Sequence, residues 1–213
     1  MLLLLRGFAT PATAYDVLVA PLRSAGVPVL VPEFYGLNGY LGRYTAADEA
    51  ADAITLLAQT DSPVLVAGHS RGGQVAWRLA QSLATSGSAP AIDLRGLVLI
   101  DPVDGAGPRA TSRLATANDA AFTIPTLIIG AGIGGRCAPS GANHTAFARA
   151  TPSADHIVIE QMGHADILSG TALAIGRRLC GGAPNPAVPR AEVTGLLTSS
   201  YRSALGGASG TSS

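Results

Sequence analysis

Short apolar runs alternate with helical patterns from one end of the chain to the other. Leu2–Leu5, Val27–Val31, Val64–Ala67, Leu97–Ile100, Thr126–Ile129 and Ile157–Glu160 are mostly near-continuous in Val, Ile and Leu. Strands covered on both faces read this way, because neither side meets water. Between them Ala14, Leu18 and Leu22 recur at every fourth position, as do Val75, Leu79 and Leu83. Ala47, Ala50, Ile54 and Leu57 recur at threes and fours. Such spacings gather apolar side chains on one face of a helix. The rhythm predicts an α/β fold: a mostly parallel sheet of about six strands with helices on both faces.

Punctuation agrees. Pro32, Pro63 and Pro125 fall at strand edges, where a missing N–H costs little. The stretch "GGAPNPAVP" (181–189) reads as a loop, followed by a helix over 190–205 with Val193, Leu196, Leu197 and Tyr201 as its buried stripe. One domain over 1–205 and a flexible tail over 206–213 are expected, with no internal repeat.

One strand ends in an unexpected residue. "VLVAGHSRGGQVAW" (64–77) places Ser70 between Gly68 and Gly72, where an apolar strand gives way to an amphipathic helix. Strand, G-x-S-x-G, helix is a nucleophile elbow: the turn is so tight that the two flanking positions have no room for Cβ atoms. Ser70 is thereby raised above the carboxyl edge of the sheet, beside a helix N-terminus that favours negative charge.

A serine hydroxyl needs a base. Of four histidines, His164 lies a few residues beyond the carboxyl end of the last strand, where it can overhang Ser70. His69 should be turned away by the elbow, and His156 should sit at the amino end of its strand, opposite the site. His144 reads as a loop histidine bonded to backbone. The third member must be a carboxylate at another strand end. No acidic residue follows Thr126–Ile129 until Asp155, at the far edge, so the acid falls one strand earlier in "GLVLIDPVDG". Asp101, at the strand end ahead of Pro102, is preferred, with Asp104 as the alternative. Asp166 reads as the cap of the following helix. Donors for an oxyanion are expected from the N–H groups of Arg71 and Phe8, with Gly7 allowing close approach.

Composition narrows the classes left. A chain of 213 residues suits one domain, and 47% hydrophobic against 13% charged residues excludes a disordered or nucleic-acid-binding chain. Fourteen basic residues balance fourteen acidic ones, giving no pull toward phosphates. "MLLLL" with Arg6 directly behind is too short for a signal core and reads as a strand; nothing approaches the ~20 apolar residues of a membrane span. Cys137 and Cys180 are no zinc pattern, and their spacing leaves pairing open.

With these residues in view, the chain resembles the chlorophyllases. "GHSRGG" (68–73), "DPVDG" (101–105), "CAPSGANH" (137–144) and "GHADIL" (163–168) occur in that family's order, and the likeness runs from "LLLRGF" to the last helix. The resemblance implies an α/β-hydrolase that cleaves the phytyl ester of chlorophyll through an acyl-enzyme, with Ser70, an aspartate of "DPVDG" and His164 as the triad. It implies no cofactor or metal, magnesium belonging to the substrate, and an apolar ester as partner. A soluble protein of chloroplast or cytoplasm would follow. Family members read His-Gly-Phe where this chain has Arg6-Gly7-Phe8, and carry sequence ahead of this strand, so the first edge strands are expected to be missing. A substrate groove is expected from Phe34–Tyr44 and the segment after Asp104. The rival readings are a broad carboxylesterase or lipase on the same triad, and a binding protein that kept the scaffold without turnover.

Overall fold

A computed structural model describes residues 1–34, 44–87, 90–105, 116 and 118–206. The expected groove segments and tail therefore fall largely outside the described residues. Among the described residues there are six strands: β1 (Leu2–Leu5), β2 (Val29–Leu30), β3 (Val64–His69), β4 (Leu94–Ile100), β5 (Thr126–Ile133) and β6 (Asp155–Gly163). Among the same residues six α-helices accompany them, with a short 3-10 turn at Ala12–Tyr15: α1 (Asp16–Ser24), α2 (Ala46–Leu57), α3 (Arg71–Thr85), α4 (His144–Ala150), α5 (Gly170–Cys180) and α6 (Ala187–Leu205). The strands form one sheet in the order β2-β1-β3-β4-β5-β6, and every pairing is parallel.

Alternation along each strand builds two cores. Leu2, Leu4, Leu65, Ala67, Val98, Ile100 and Ile129 point to one face and pack with Leu18 and Leu22 of α1 and Val193 and Leu197 of α6. Leu3, Leu5, Val64, Val66, Leu97, Leu99 and Ile128 point to the other, with Leu57 of α2, Val75 and Leu79 of α3, and Phe147 of α4. Both faces are thus dry, which is why the strand sequences lack polar alternation.

Several expectations need correction. Strand β2 keeps only two residues of the expected five, whereas β5 and β6 run past their apolar runs. Parallel pairing with a neighbour extends them: Ile133 of β5 still meets Gly163 of β6. Of the stripe expected on α2, Ala50 and Leu57 are buried and Ile54 packs partly against the core, while Ala47 is exposed and Ala46, Glu49 and Ala53 complete the buried face. Helix α6 begins at Ala187, inside the expected loop. Pro189 fits there because the first helical turn has no use for its missing N–H.

The strand order reverses direction of growth beside β1: β2 lies on one side of it and β3 on the other. At such a switch point the connections leave on opposite faces of the sheet and open a crevice at the carboxyl ends of the strands. The residues after β1 and β3 therefore meet at one place. Among the described residues, no helix is long and apolar enough to cross a membrane.

Candidate active site

Ser70 stands between β3 and α3 with φ 55° and ψ −122°, a left-handed backbone that a non-glycine residue adopts only under constraint. The constraint is packing. A Cβ at Gly68 would land on the main chain of Gly72, and one at Gly72 on the carbonyl of Leu5 at the end of β1. The elbow thus presses the start of α3 against the segment that continues into Arg6, Gly7 and Phe8. Carbonyl oxygen of Ser70 accepts from Gly73 N–H at 3.0 Å and from Val103 N–H at 3.1 Å, fastening the turn to the loop after β4.

That loop and the one after β6 complete a row of side chains. His164 Nε2 lies 2.9 Å from Ser70 Oγ, and His164 Nδ1 lies 2.6 Å from Asp101 Oδ2. All three residues are buried, Asp101 completely. The other carboxylate oxygen of Asp101 accepts from Ala131 N–H at 3.2 Å, which holds the aspartate in one orientation. Asp104 is turned elsewhere. Its Oδ1 accepts from Gln74 Nε2 at 2.7 Å, and its Oδ2 accepts from the Thr116 hydroxyl at 2.8 Å and amide at 3.1 Å. One aspartate of the pair reaches the imidazole, while the other ties α3 to the loop after β4.

The remaining histidines do different work. His69 is buried, and burial pushes its pKa down to about 3, so it stays neutral. His144 is not bonded to backbone as expected: its Nδ1 lies 2.8 Å from Nε2 of His156, and its ring fills the space over Gly130. Burial lowers the pKa of both rings. Asn143 caps α4, its Oδ1 accepting from Thr145 N–H at 3.2 Å. Asp166 does not cap α5 either. It is buried and accepts from the amides of Gly163 (2.6 Å) and Ala183 (2.7 Å), bracing the His164 turn against the segment after α5.

Around this row lies a cavity of about 600 Å³ lined by Gly7, Phe8, Ser70, Val103 and His164 on its floor. Leu168, Ala172, Ile175 and Leu179 form one wall. Ile175 and Leu179 are 54% and 62% exposed, so α5 presents an apolar surface both to the cavity and to solvent. Cys137 also lines the cavity and forms a disulfide with Cys180, joining the loop after β5 to the end of α5. Cys180 is the buried residue of that helix, so the bridge anchors a wall with little packing of its own.

Glu49 and Tyr15, which lie outside every motif of the sequence, support this floor. Arg71 turns its guanidinium away from the cavity onto buried Glu49, Nε to Oε2 at 3.0 Å, and onto the Tyr44 carbonyl at 3.1 Å. Desolvation raises the pKa of Glu49, and the Arg71 charge opposes that rise. Spacing was a usable signal, since Glu49 falls on the apolar stripe of α2. Tyr15 is the other; its hydroxyl accepts from Gly7 N–H at 2.8 Å. Tyr15 sits just ahead of α1, fully buried, and a buried tyrosine needs a partner for its hydroxyl. Arg6 is buried too, donating to the carbonyls of Thr10 at 2.6 Å and Pro32 at 2.8 Å, so it braces the segment from within.

The site's geometry, an acid, an imidazole and a hydroxyl in line beneath an apolar cavity, suits acyl transfer. The chlorophyllase family profile matches residues 1–210. The chain belongs to the chlorophyllase family. It is a carboxylic-ester hydrolase with the α/β-hydrolase fold. Chlorophyllase-2 of Arabidopsis thaliana is 29% identical across 97% of this chain and 74% of its own length. Chlorophyllase-1, chloroplastic, of Citrus unshiu is also 29% identical, across 79% of this chain and 55% of its own length. Among solved structures, mouse alpha/beta hydrolase domain-containing protein 10 superposes with a TM-score of 0.64 at 13% identity, over 93% of this chain and 89% of that one. The pyrethroid hydrolase PytH gives 0.61 at 14% identity, over 92% and 96%. At such identities these two share the fold alone. Among the described residues there is no cluster of three or more metal-ligating side chains.

Proposed function

We propose that the chain hydrolyses chlorophyll at its phytyl ester, releasing chlorophyllide and phytol, with Ser70 as nucleophile, His164 as base and Asp101 as the acid that orients it. The observation that carries this reading is the unbroken hydrogen-bonded row from Asp101 through His164 to Ser70 at the floor of an apolar cavity. His164 Nε2 takes the proton as Ser70 Oγ attacks the ester carbonyl. The oxyanion accepts hydrogen bonds from the N–H groups of Arg71 and Phe8. As the tetrahedral intermediate collapses, His164 returns the proton to the departing alcohol, leaving an ester on Ser70. Water, deprotonated by the same imidazole, attacks that ester, and the acid leaves as the serine regains its proton. Asp101 stabilises the imidazolium in both halves. The apolar wall of Leu168, Ile175 and Leu179 suits the phytyl chain, whose burial there favours binding at about 25 cal/mol for each Å² removed from water.

Incubation with chlorophyll followed by chromatography of the pigments tests the substrate. Chlorophyllide should be released by the wild-type chain and not by Ser70→Ala. A fluorophosphonate should label the first and not the second. Rapid cleavage of a short p-nitrophenyl ester without chlorophyllide would make this a broad carboxylesterase instead. Neither labelling nor turnover would leave a binding protein on a hydrolase scaffold.

A further inference from the structure

Tyr15 and His69 lie outside the row of Asp101, His164 and Ser70, yet they connect the two segments such a site must keep in register. We propose that they are positioning residues for ester hydrolysis, clamping the Gly7–Phe8 segment to the segment that carries His164. The proposal rests on the assignment of Ser70 and His164 above.

The proton on each group follows from its partner. His69 Nε2 lies 2.9 Å from the carbonyl oxygen of His164. A carbonyl can only accept, so Nε2 carries the proton. In a neutral ring Nδ1 must then accept, and its neighbour is the Tyr15 hydroxyl at 2.8 Å, which donates. The Tyr15 oxygen in turn accepts from Gly7 N–H. Every bond in the row runs one way, from the Gly7 amide through Tyr15 and His69 to the backbone of His164. Neither end can reverse, because an amide N–H does not accept and a carbonyl does not donate.

Burial secures the arrangement. Tyr15 is fully buried, and His69 is almost so. The low pKa of His69 keeps the ring in the neutral form the row requires. Gly7 fits closely, since a Cβ there would stand 3.2 Å from His69 Nδ1 and 3.3 Å from the Tyr15 hydroxyl oxygen. A second tie leaves the same turn: the amide and hydroxyl of Ser169, in the segment after His164, both donate to the Ala14 carbonyl, at 2.8 and 3.2 Å. The turn over Ala12–Tyr15 is thereby bonded to both sides of the site. An apolar pair could fill the same volume without satisfying Gly7 N–H or the His164 carbonyl, so the polar row matters through direction, which packing lacks.

The test uses the full chain and a soluble p-nitrophenyl ester. Tyr15→Phe should lower kcat by about 10- to 100-fold, the scale on which small misplacements act, with KM within about twofold. His69→Gln offers one donor and one acceptor and should keep more activity than His69→Leu, each rate being divided by the fraction of chains that a fluorophosphonate labels. Nitrogen-15 NMR of the imidazoles in Ser70→Ala reads the clamp without turnover: His69 should remain neutral with its proton on Nε2 at pH 5. Tyr15→Phe in that background should shift the His164 ring signals. The proposal is overturned if Tyr15→Phe and His69→Leu keep wild-type kcat per labelled site, or if His69 is charged or carries its proton on Nδ1. A wild-type chain that neither labels nor turns over defeats the Ser70 assignment, and the NMR then decides the clamp alone.

Discussion

Replacing Asp101 with asparagine should abolish nearly all turnover while leaving the fold in place, and the hydrogen bonds say why. Asp101 Oδ1 accepts from the Ala131 amide, which can only donate. An asparagine keeps that bond with its own oxygen and so turns its NH₂ toward His164 Nδ1. The imidazole must then accept at Nδ1 and carry its proton on Nε2, facing Ser70, where it cannot take the serine's proton. Flipping the amide instead would oppose two donors at Ala131 in a fully buried place, at about 1–3 kcal/mol. The wrong tautomer costs about 10⁴ in kcat, or about 5.5 kcal/mol of transition-state stabilisation. Steady-state hydrolysis of a p-nitrophenyl ester measures it, with a thermal melt to show that the variant folds. Asp104→Asn is the paired control. It weakens contacts to Gln74 and Thr116 and should cost less than about tenfold in kcat. If Asp104→Asn proves the more damaging of the two, the roles given to these aspartates are wrong.

Three further outcomes are expected. Because His69 is held near pKa 3 in the folded chain against an ordinary 6.5, the unfolded chain binds the extra proton as pH falls below 6.5. Its share of stability, intact above 6.5, should therefore drop by about 2 kcal/mol by pH 5. Unfolding free energies from urea titrations of wild type and His69→Gln should converge by that amount between pH 7 and 5, and a constant gap would refute it. The Cys137–Cys180 bridge closes a separation of 43 residues, worth about 4 kcal/mol by loop entropy. Reduction should lower the melting temperature and slow long-chain esters more than short ones, since the bridge anchors a cavity wall; an unchanged melt would count against this. Gly72→Ala should unfold or severely destabilise the chain, whereas Gly195→Ala, in α6 with open space around it, should stabilise by about 0.5–1 kcal/mol. Equal melting temperatures for the two would contradict the packing at the elbow.

Local pattern was enough to read strands β1, β3 and β4, helices α1 and α3, and the bend at Ser70. Each is specified by residues within one or two turns of chain: unbroken aliphatic runs, repeats at three and four, and glycines on either side of a serine. Position along the chain also placed His164 beyond a strand's carboxyl end, since all parallel strands deliver their ends to one edge. Less local features were misread. Asp166 looked like a helix cap because caps are recognised by neighbouring residues, whereas its partners include Ala183. His144 looked like a loop residue because its partner, His156, belongs to the next strand.

The alternation of elements, the burial of both sheet faces and the bend at Ser70 were legible along the chain, because those depend on side-chain periodicity and on room for a Cβ. Only the tertiary structure decided which aspartate meets the imidazole, that Tyr15 bonds His69, that Arg71 is held by Glu49, and that the two cysteines join. These depend on directed contacts of a few ångströms between groups as many as 63 residues apart, as for Asp101 and His164. Hydrogen bonds and disulfides are set by distance and angle in space, and periodicity along a chain carries neither.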